Sequence, residues 1–437
     1  MAFIWQSVEE LQERGGSLFF DGCSVTDLAS QFGTPLYAYS ETRLRKNYRR
    51  LHDAVRRHCD AYEIYYALKV NGNPSVVEVL SSEGAGADCA SLQEVAIAQE
   101  AGIPPHRILF SGAFVSRDEL ARAVELGIQV NLAETCHLEE FARTGPPALL
   151  SFRINPGESL ALPDSEFVLA GCDSKFGITP EEAVDAYARA AQLGVKQFGI
   201  HAMASSNVLD VEYFDRLLAF VCRVASTVSA RTGVEFQFVN IGGALGVPYR
   251  EEQQALDVTA LGRRLAATLR QSVPGARLRL IQEPGRYLAA DAGILLTRVT
   301  SIKRADETFV GVDAGMNTLV RPAMYGAYHH IVYPADIRLP HDTPVNVVGQ
   351  ICEARDVIAR QRPLPRSIAV GDVLALLDAG AYGFAMSSRF HAKPAAAEVL
   401  VCDGAAELIR VRPGIPELFG STRRASWLRP EPELQVG

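Results

Sequence analysis

Between about residues 61 and 286 the chain alternates two hydrophobic patterns. Short runs rich in β-branched and aromatic residues predict strands over 61–70, 86–90, 107–112, 128–133, 147–156, 196–203, 236–243 and 277–286. Between them, apolar positions recur at helical spacing over 74–84, 91–102, 116–127, 179–194, 210–232 and 255–272. Ser116-Arg117-Asp118-Glu119 and Thr179-Pro180-Glu181-Glu182 place a hydroxyl before acidic first-turn residues, which is a helix start signal. Gly102, Gly127, Gly194 and Gly233 are plausible helix stops. Eight strands, most of them followed by a helix, predict a (β/α)8 barrel. A doubly wound open sheet is the competing architecture, and the count favours the barrel.

After about residue 290 the helical period fades. Strand-like segments follow at 292–303, 307–312, 345–351, 371–377, 397–402 and 406–411, and this part reads as all-β. Ser17-Leu18-Phe19-Phe20 and Pro35-Leu36-Tyr37-Ala38-Tyr39 make the first forty residues β-rich as well. The expected organisation is an α/β barrel over 41–290 and a discontinuous β domain from 1–40 and 291–437. The tail from Pro413 reads as irregular.

Composition narrows the function classes. A chain of 437 residues holds about two domains. A net charge of -8 and no long basic run argue against nucleic-acid binding. No apolar run is long enough to span a membrane, and the N-terminus lacks the pattern of a signal peptide. Eight scattered cysteines without a CxxC pair suit a reduced, cytoplasmic protein rather than a disulfide framework or a zinc site. Tandem His329-His330 has no clustered carboxylates or cysteines at ligand spacing, so no metal is expected.

In such a barrel the active site lies at the C-terminal ends of the strands. Charged and polar residues gather there: Lys69, Asp88, Arg153, His201 with Met203 and Ser206, Gly242 with Gly243, and Glu283 with Arg286. Period-two alternation puts Tyr65, Ala67 and Lys69 on one face of the first strand. An ammonium in so apolar a run is costly unless paired, neutralised or chemically committed. The plain alternative is a lysine reaching water from a strand end. Asn240-Ile241-Gly242-Gly243-Ala244 runs a strand into a glycine-rich turn, whose N–H groups suit a phosphate. Alone that signal is weak, but Arg286 adds a guanidinium on the neighbouring strand. A phosphate site beside a buried lysine points to pyridoxal 5'-phosphate (PLP), whose aldehyde condenses with a lysine amine. Glu283 is the candidate partner of the pyridine nitrogen.

These motifs resemble those of the alanine-racemase-like (fold type III) PLP-dependent decarboxylases, the ornithine/lysine/arginine/diaminopimelate class, and most closely its diaminopimelate-type members. Tyr66-Ala67-Leu68-Lys69, Asp88-Cys89-Ala90-Ser91-Leu92-Gln93-Glu94, Ser174-Lys175-Phe176-Gly177 and Glu283-Pro284-Gly285-Arg286 follow the family's order, across nearly the whole chain. So do Val312-Asp313-Ala314-Gly315-Met316-Asn317, Cys352-Glu353 and Asp378-Ala379-Gly380-Ala381-Tyr382-Gly383-Phe384. The resemblance implies that Lys69 carries PLP and Glu283 faces its ring nitrogen. Gly243, Ala244, Arg286 and Tyr382 would hold or border the phosphate, with Asp88, Arg153, His201, Met203 and Ser206 around the cofactor. It implies a homodimer with shared active sites, in which Cys352 reaches across and protonates the product carbanion. Arg286, Arg321, Tyr325, Glu353 and Tyr382 match positions that bind the far end of the substrate.

Two departures stand out. His201-Ala202-Met203-Ala204-Ser205-Ser206-Asn207 puts Met203 where the family has a histidine stacked on the PLP ring, and Ala244 replaces a glycine that suits φ > 0. Two substrates are therefore expected equally: meso-diaminopimelate, giving L-lysine, or a related amino acid with a distal carboxylate, such as a citrate-amide or carrier-linked siderophore or antibiotic intermediate. The rivals are a racemase on the same fold and a non-catalytic PLP carrier. Cys352-Glu353 and the long β domain argue against both.

Overall fold

The computed structural model describes residues 8–157, 160, 169–272, 278–420, 422, 423, 425 and 427. Eight parallel strands close into a barrel: β1 (Tyr62–Ala67), β2 (Gly86–Cys89), β3 (Ile108–Phe110), β4 (Gln129–Leu132), β5 (Leu150–Ile154), β6 (Phe198–Ala202), β7 (Phe236–Asn240) and β8 (Arg279–Gln282). Each lies within its expected window. The ring closes where Leu280 of β8 pairs with Tyr62 of β1. Tyr65, Leu109, Phe238 and Ile281 form a separate buried cluster inside it. Gly199 makes room for that filling, since a Cβ there would sit 2.1 Å from the Phe238 ring.

The outer ring uses helices Pro74–Ser82, Leu92–Glu100, Arg117–Glu125, Pro180–Gln192, Val211–Thr232 and Val258–Ser272. Both expected start signals are complete capping boxes, at Ser116 with Glu119 and at Thr179 with Glu182. Between β4 and β5 stand a 3-10 turn, Leu138–Glu140, and the short helix Phe141–Thr144. A further helix, Glu41–Arg56, precedes β1 and was not expected. It buries Leu44, Tyr48, Leu51 and Val55 on one face and packs against Val258–Ser272 and β1.

The β-rich remainder forms a three-stranded sheet of Leu11–Arg14, Ser17–Phe20 and Cys23–Ser24 and, separately, a nine-stranded sheet system. Its spine is Gly293–Arg304, which pairs with Leu36–Ser40 and Val373–Leu376 along its first half and with Thr308–Val312 along its second. A register shift between Val299 and Ser301 lets one strand serve both pairings. Thr343–Val348, Ala397–Cys402 and Ala405–Arg410 match the expected strands closely. Val357–Leu364 is an additional edge strand, where Pro363 and the positive φ of Gln361 are tolerated. The N-terminal part also holds a helix, Val25–Phe32, and the tail a short one, Ile415–Phe419. Buried Glu398 binds the sheet to the barrel: it accepts from Tyr39 Oη at 2.6 Å and from Asn73 Nδ2 at 2.9 Å. Among the described residues no helix is long and apolar enough to cross a membrane. All eight cysteines are free.

Candidate active site

Strand β1 ends two residues before Lys69, which lies in a single 3-10 turn, Leu68–Val70. The period-two reading of Lys69 as a strand residue is corrected. Asn73 caps the next helix by accepting from Ser75 N, with Pro74 at the first helical position, so the chain must turn early. Tyr66 Oη donates to Asn71 O at 3.0 Å, and Tyr382 N donates to Val70 O at 2.9 Å. These bonds fix the turn and bring Tyr382 beside it.

Lys69 Nζ lies 3.1 Å from Oδ2 of Asp88, a β2 residue only 2% exposed. The lysine side chain keeps 42% of its surface because it faces a cavity. Enclosure by the barrel rim pulls its pKa down, yet the charges of Asp88, Tyr382 and Glu283 outweigh this and hold it above the ordinary lysine value. The pKa of Asp88 is raised too, by burial first and then by the charge of Glu283. Lys69 is therefore an ammonium held at the cavity by its neighbour.

Glu283 follows β8 directly and is 4% exposed. Its Oε1 accepts from Asn240 Nδ2 at 2.6 Å, and its Oε2 lies 3.4 Å from His201 Nε2. Burial alone would raise its pKa, but His201, Lys69 and Asn240 hold it down at about 2. Hydrogen bonding assigns the His201 tautomer. Ser151 Oγ donates to Asn131 Oδ1 at 2.8 Å, which turns Asn131 Nδ2 toward His201 Nδ1 at 3.2 Å. Nδ1 is then the acceptor, and Nε2 carries the proton that faces Glu283.

Strand β7 ends at Asn240, so Gly242 and Gly243 lie in the following turn rather than in the strand. Asn240 Oδ1 accepts from Gly242 N at 2.8 Å, and Glu283 N donates to Gly242 O at 2.8 Å. A Cβ on Gly243 would meet Glu283 O at 2.4 Å, so only glycine permits this approach. Ala244 does adopt the left-handed conformation, with φ +64°, at a cost of roughly 1–2 kcal/mol. The Gly243 and Ala244 N–H groups have no hydrogen-bond partner among the described residues. Beside them, Arg286 donates to Ser206 Oγ at 3.3 Å, and its guanidinium lies 5.0 Å from the Tyr382 ring centroid.

One cavity is lined by Lys69, Met203, Ser206, Gly243, Ala244, Glu283, Arg286 and Tyr382. It offers open backbone donors and a guanidinium to a dianion at one side, and a lysine with a buried carboxylate at the other. That donor set fits PLP. Arg153 donates to Met203 O at 3.1 Å and stacks 4.4 Å from the Phe176 ring centroid; burial brings its pKa down to about 10.

The cavity widens toward Arg321, Tyr325 and Met386. Arg321 is 2% exposed, and no carboxylate lies within ion-pair distance of it among the described residues. Cys352 and Glu353 line neither part. Both are exposed on the turn before Val357–Leu364. Buried Asp356 shapes that turn by accepting from Ile351 N and Met316 N. Asp313 likewise acts structurally, accepting from Thr297 and Thr34 hydroxyls. Asn131 and Tyr249 escaped the sequence reading, which gave Asn240 no role of its own and weighed His329 only as a metal ligand. Asn240 carried one signal, a polar residue ending an apolar strand just before the glycines.

Residues 43–290 match the family model described as pyridoxal-dependent decarboxylase, pyridoxal binding domain. The chain is 40% identical over 412 residues to the diaminopimelate decarboxylase of Methanothermobacter thermautotrophicus, covering 92% of this chain and 95% of that one. It is 33% identical to Protein TabA of Pseudomonas amygdali pv. tabaci, with 87% and 88% covered. The crystal structure of the M. jannaschii diaminopimelate decarboxylase in complex with L-lysine superposes with a TM-score of 0.88 at 31% identity, covering 96% and 99%. The chain thus belongs to the pyridoxal-dependent decarboxylases, and it is a PLP-dependent carboxy-lyase acting on an amino acid.

Proposed function

We propose that this enzyme removes the α-carboxylate from one end of meso-diaminopimelate and releases L-lysine. The observation that carries the substrate is Arg321. A buried guanidinium with no carboxylate partner, in the same cavity as Lys69, is a binding site for a substrate carboxylate held away from the reacting end. The names of the relatives support the same reading.

The residues divide the work. Lys69 would hold PLP covalently, while Gly243 and Ala244 N–H, Ser206 and Arg286 would hold its phosphate. Glu283, kept ionised by its buried neighbours, would hold a proton on the ring nitrogen. Bound there, PLP supplies an electron sink for the charge left when CO2 departs. Arg321 and Tyr325 would orient the distal end.

We assign the return of a proton to the α-carbon to Cys352 of the partner subunit, with the partner's Glu353 meeting the distal ammonium. Their exposure, outside the lining of their own Lys69 cavity, supports a homodimer with shared sites. On this reading the barrel spans 41–290 and the β domain 1–40 with 291–437, the latter presenting Cys352 to the partner. Free cysteines are in keeping with a cytoplasmic enzyme.

A second reading rests on Met203. It lines the cavity where relatives place a stacking histidine, and Protein TabA is a relative under a different name. The substrate is then a related amino acid with a distal carboxylate, from siderophore or antibiotic assembly. CO2 release from meso-diaminopimelate, ornithine, L-lysine and citryl-diaminopropionate distinguishes the readings. Turnover of meso-diaminopimelate at least tenfold above the others supports the first. Preference for the citryl compound supports the second, and preference for ornithine contradicts both.

A further inference from the structure

Arg321 and Arg286 meet on one aromatic residue. Arg286 donates to Tyr249 Oη at 2.9 Å, and the Arg321 guanidinium lies 4.8 Å from the Tyr249 ring centroid. His329 packs edge-on to the same ring, with centroids 5.8 Å apart. Its Nε2 accepts from Arg321 at 2.9 Å, and its Nδ1 lies 2.9 Å from Leu377 O. A carbonyl only accepts, so Nδ1 carries the proton and Nε2 presents a lone pair to Arg321. Burial, first, and the Arg321 charge, second, push the His329 pKa down to about 3, in keeping with a neutral ring. Tyr249, His329 and Arg321 are 7%, 2% and 2% exposed.

We infer that Tyr249 and His329 are positioning residues that hold Arg321 by neutral contacts only, so that its charge is left for the carboxylate of the substrate. Most buried arginines are held by a carboxylate, which fixes the side chain and cancels its charge together. Here an imidazole lone pair and an aromatic face fix the guanidinium and leave it cationic. Specificity for a distal carboxylate then depends on what is absent from position 329 as much as on Arg321 itself. Tyr249 adds a second function by tying Arg321 to Arg286, so the distal site and the phosphate site share one support.

The inference rests on the reading of Arg321 as the distal-carboxylate site, and the test separates the two. The probes are L-lysine, which keeps that carboxylate, and 1,5-diaminopentane, which lacks it. Affinities of the PLP-loaded protein for each are measured by calorimetry, with thermal melting as a check on folding. Losing one charge-assisted contact weakens binding about 10- to 100-fold. His329→Glu still offers Arg321 an acceptor but cancels its charge. It is expected to weaken L-lysine by that factor while leaving 1,5-diaminopentane unchanged or tighter. His329→Gln, a neutral acceptor of similar reach, is expected to keep the ratio of the two affinities within about threefold of wild type. Tyr249→Phe keeps the ring under Arg321 but releases Arg286, and is expected to weaken PLP more than L-lysine. If His329→Glu shifts neither probe, or shifts both equally, the inference falls. If Arg321→Ala leaves L-lysine binding intact, the site reading itself falls, whatever His329 does.

Discussion

Asn240 is the most economical test of how the site is held together. It is fully buried, its Nδ2 donates to Glu283 Oε1 at 2.6 Å, and its Oδ1 accepts from Gly242 N at 2.8 Å. One side chain therefore orients both the Glu283 carboxylate and the glycine turn. Asn240→Leu keeps the volume and removes both bonds. The lost charge-assisted bond amounts to about 1.5–3 kcal/mol, and the stranded N–H to about 1–3 kcal/mol. Because neighbouring terms overlap, the expected loss is about 3 kcal/mol rather than the sum. For a chain of this size that is a fall in melting temperature of roughly 3 °C. Asn240→Asp separates the two bonds: it keeps the acceptor for Gly242 but sets a second carboxylate against Glu283. One of that pair must then take up a proton near neutral pH, and turnover should fall further than stability. Calorimetric melting of the apo protein and fluorescence titration with PLP measure both effects. If Asn240→Leu melts within a degree of wild type and binds PLP equally well, the network around Glu283 does not hold the site as described.

Three other outcomes follow from the geometry. Asp378 has its pKa raised from 3.8 to about 7, by burial and then by Asp291, and it sits at φ +56°. A carboxyl with a raised folded pKa destabilises the fold once ionised, so its penalty is absent below pH 3.8 and grows as pH rises toward 7. Asp378→Asn suits the left-handed conformation and removes that charge; after allowance for partial exposure it should add about 2 kcal/mol at pH 8 and little at pH 4, read by urea unfolding. Met203→His returns an ionisable ring to the cavity, so turnover should gain an inflection near pH 6.5; an unchanged pH profile would mean that position 203 does not touch the chemistry. Mixing inactive Lys69→Ala and Cys352→Ala proteins should restore about a quarter of wild-type turnover if each site draws on both subunits of a twofold dimer, whereas no recovery would place both residues in one chain.

Much of the site was legible because charge at the end of an apolar run is conspicuous. Lys69, Asp88, Glu283 and Arg286 stood out in that way, and the structure gathers all four around one cavity or its immediate wall. The strand count likewise followed from short apolar runs separated by capped helices. The helix Glu41–Arg56 was hidden by composition: six basic residues dilute a face whose apolar positions are nevertheless at helical spacing. Val357–Leu364 was hidden by Arg360, Gln361 and Arg362, which an edge strand can carry because one of its sides meets solvent. The roles of Asn240, Tyr249 and His329 could not be read for a different reason. Each is defined by a partner distant in sequence, Glu283, Arg286 and Leu377 respectively, and only folding reveals the pairing.

Every role proposed for the cavity depends on Lys69 being the residue on which this decarboxylase carries PLP. Borohydride reduction of the PLP-loaded protein, followed by peptide mass mapping, tests it directly. A pyridoxyl-phosphate adduct on Lys69 is expected, and it should be lost, with the visible absorbance, in Lys69→Ala. An adduct on another lysine, or none on a protein that still releases CO2, would contradict it.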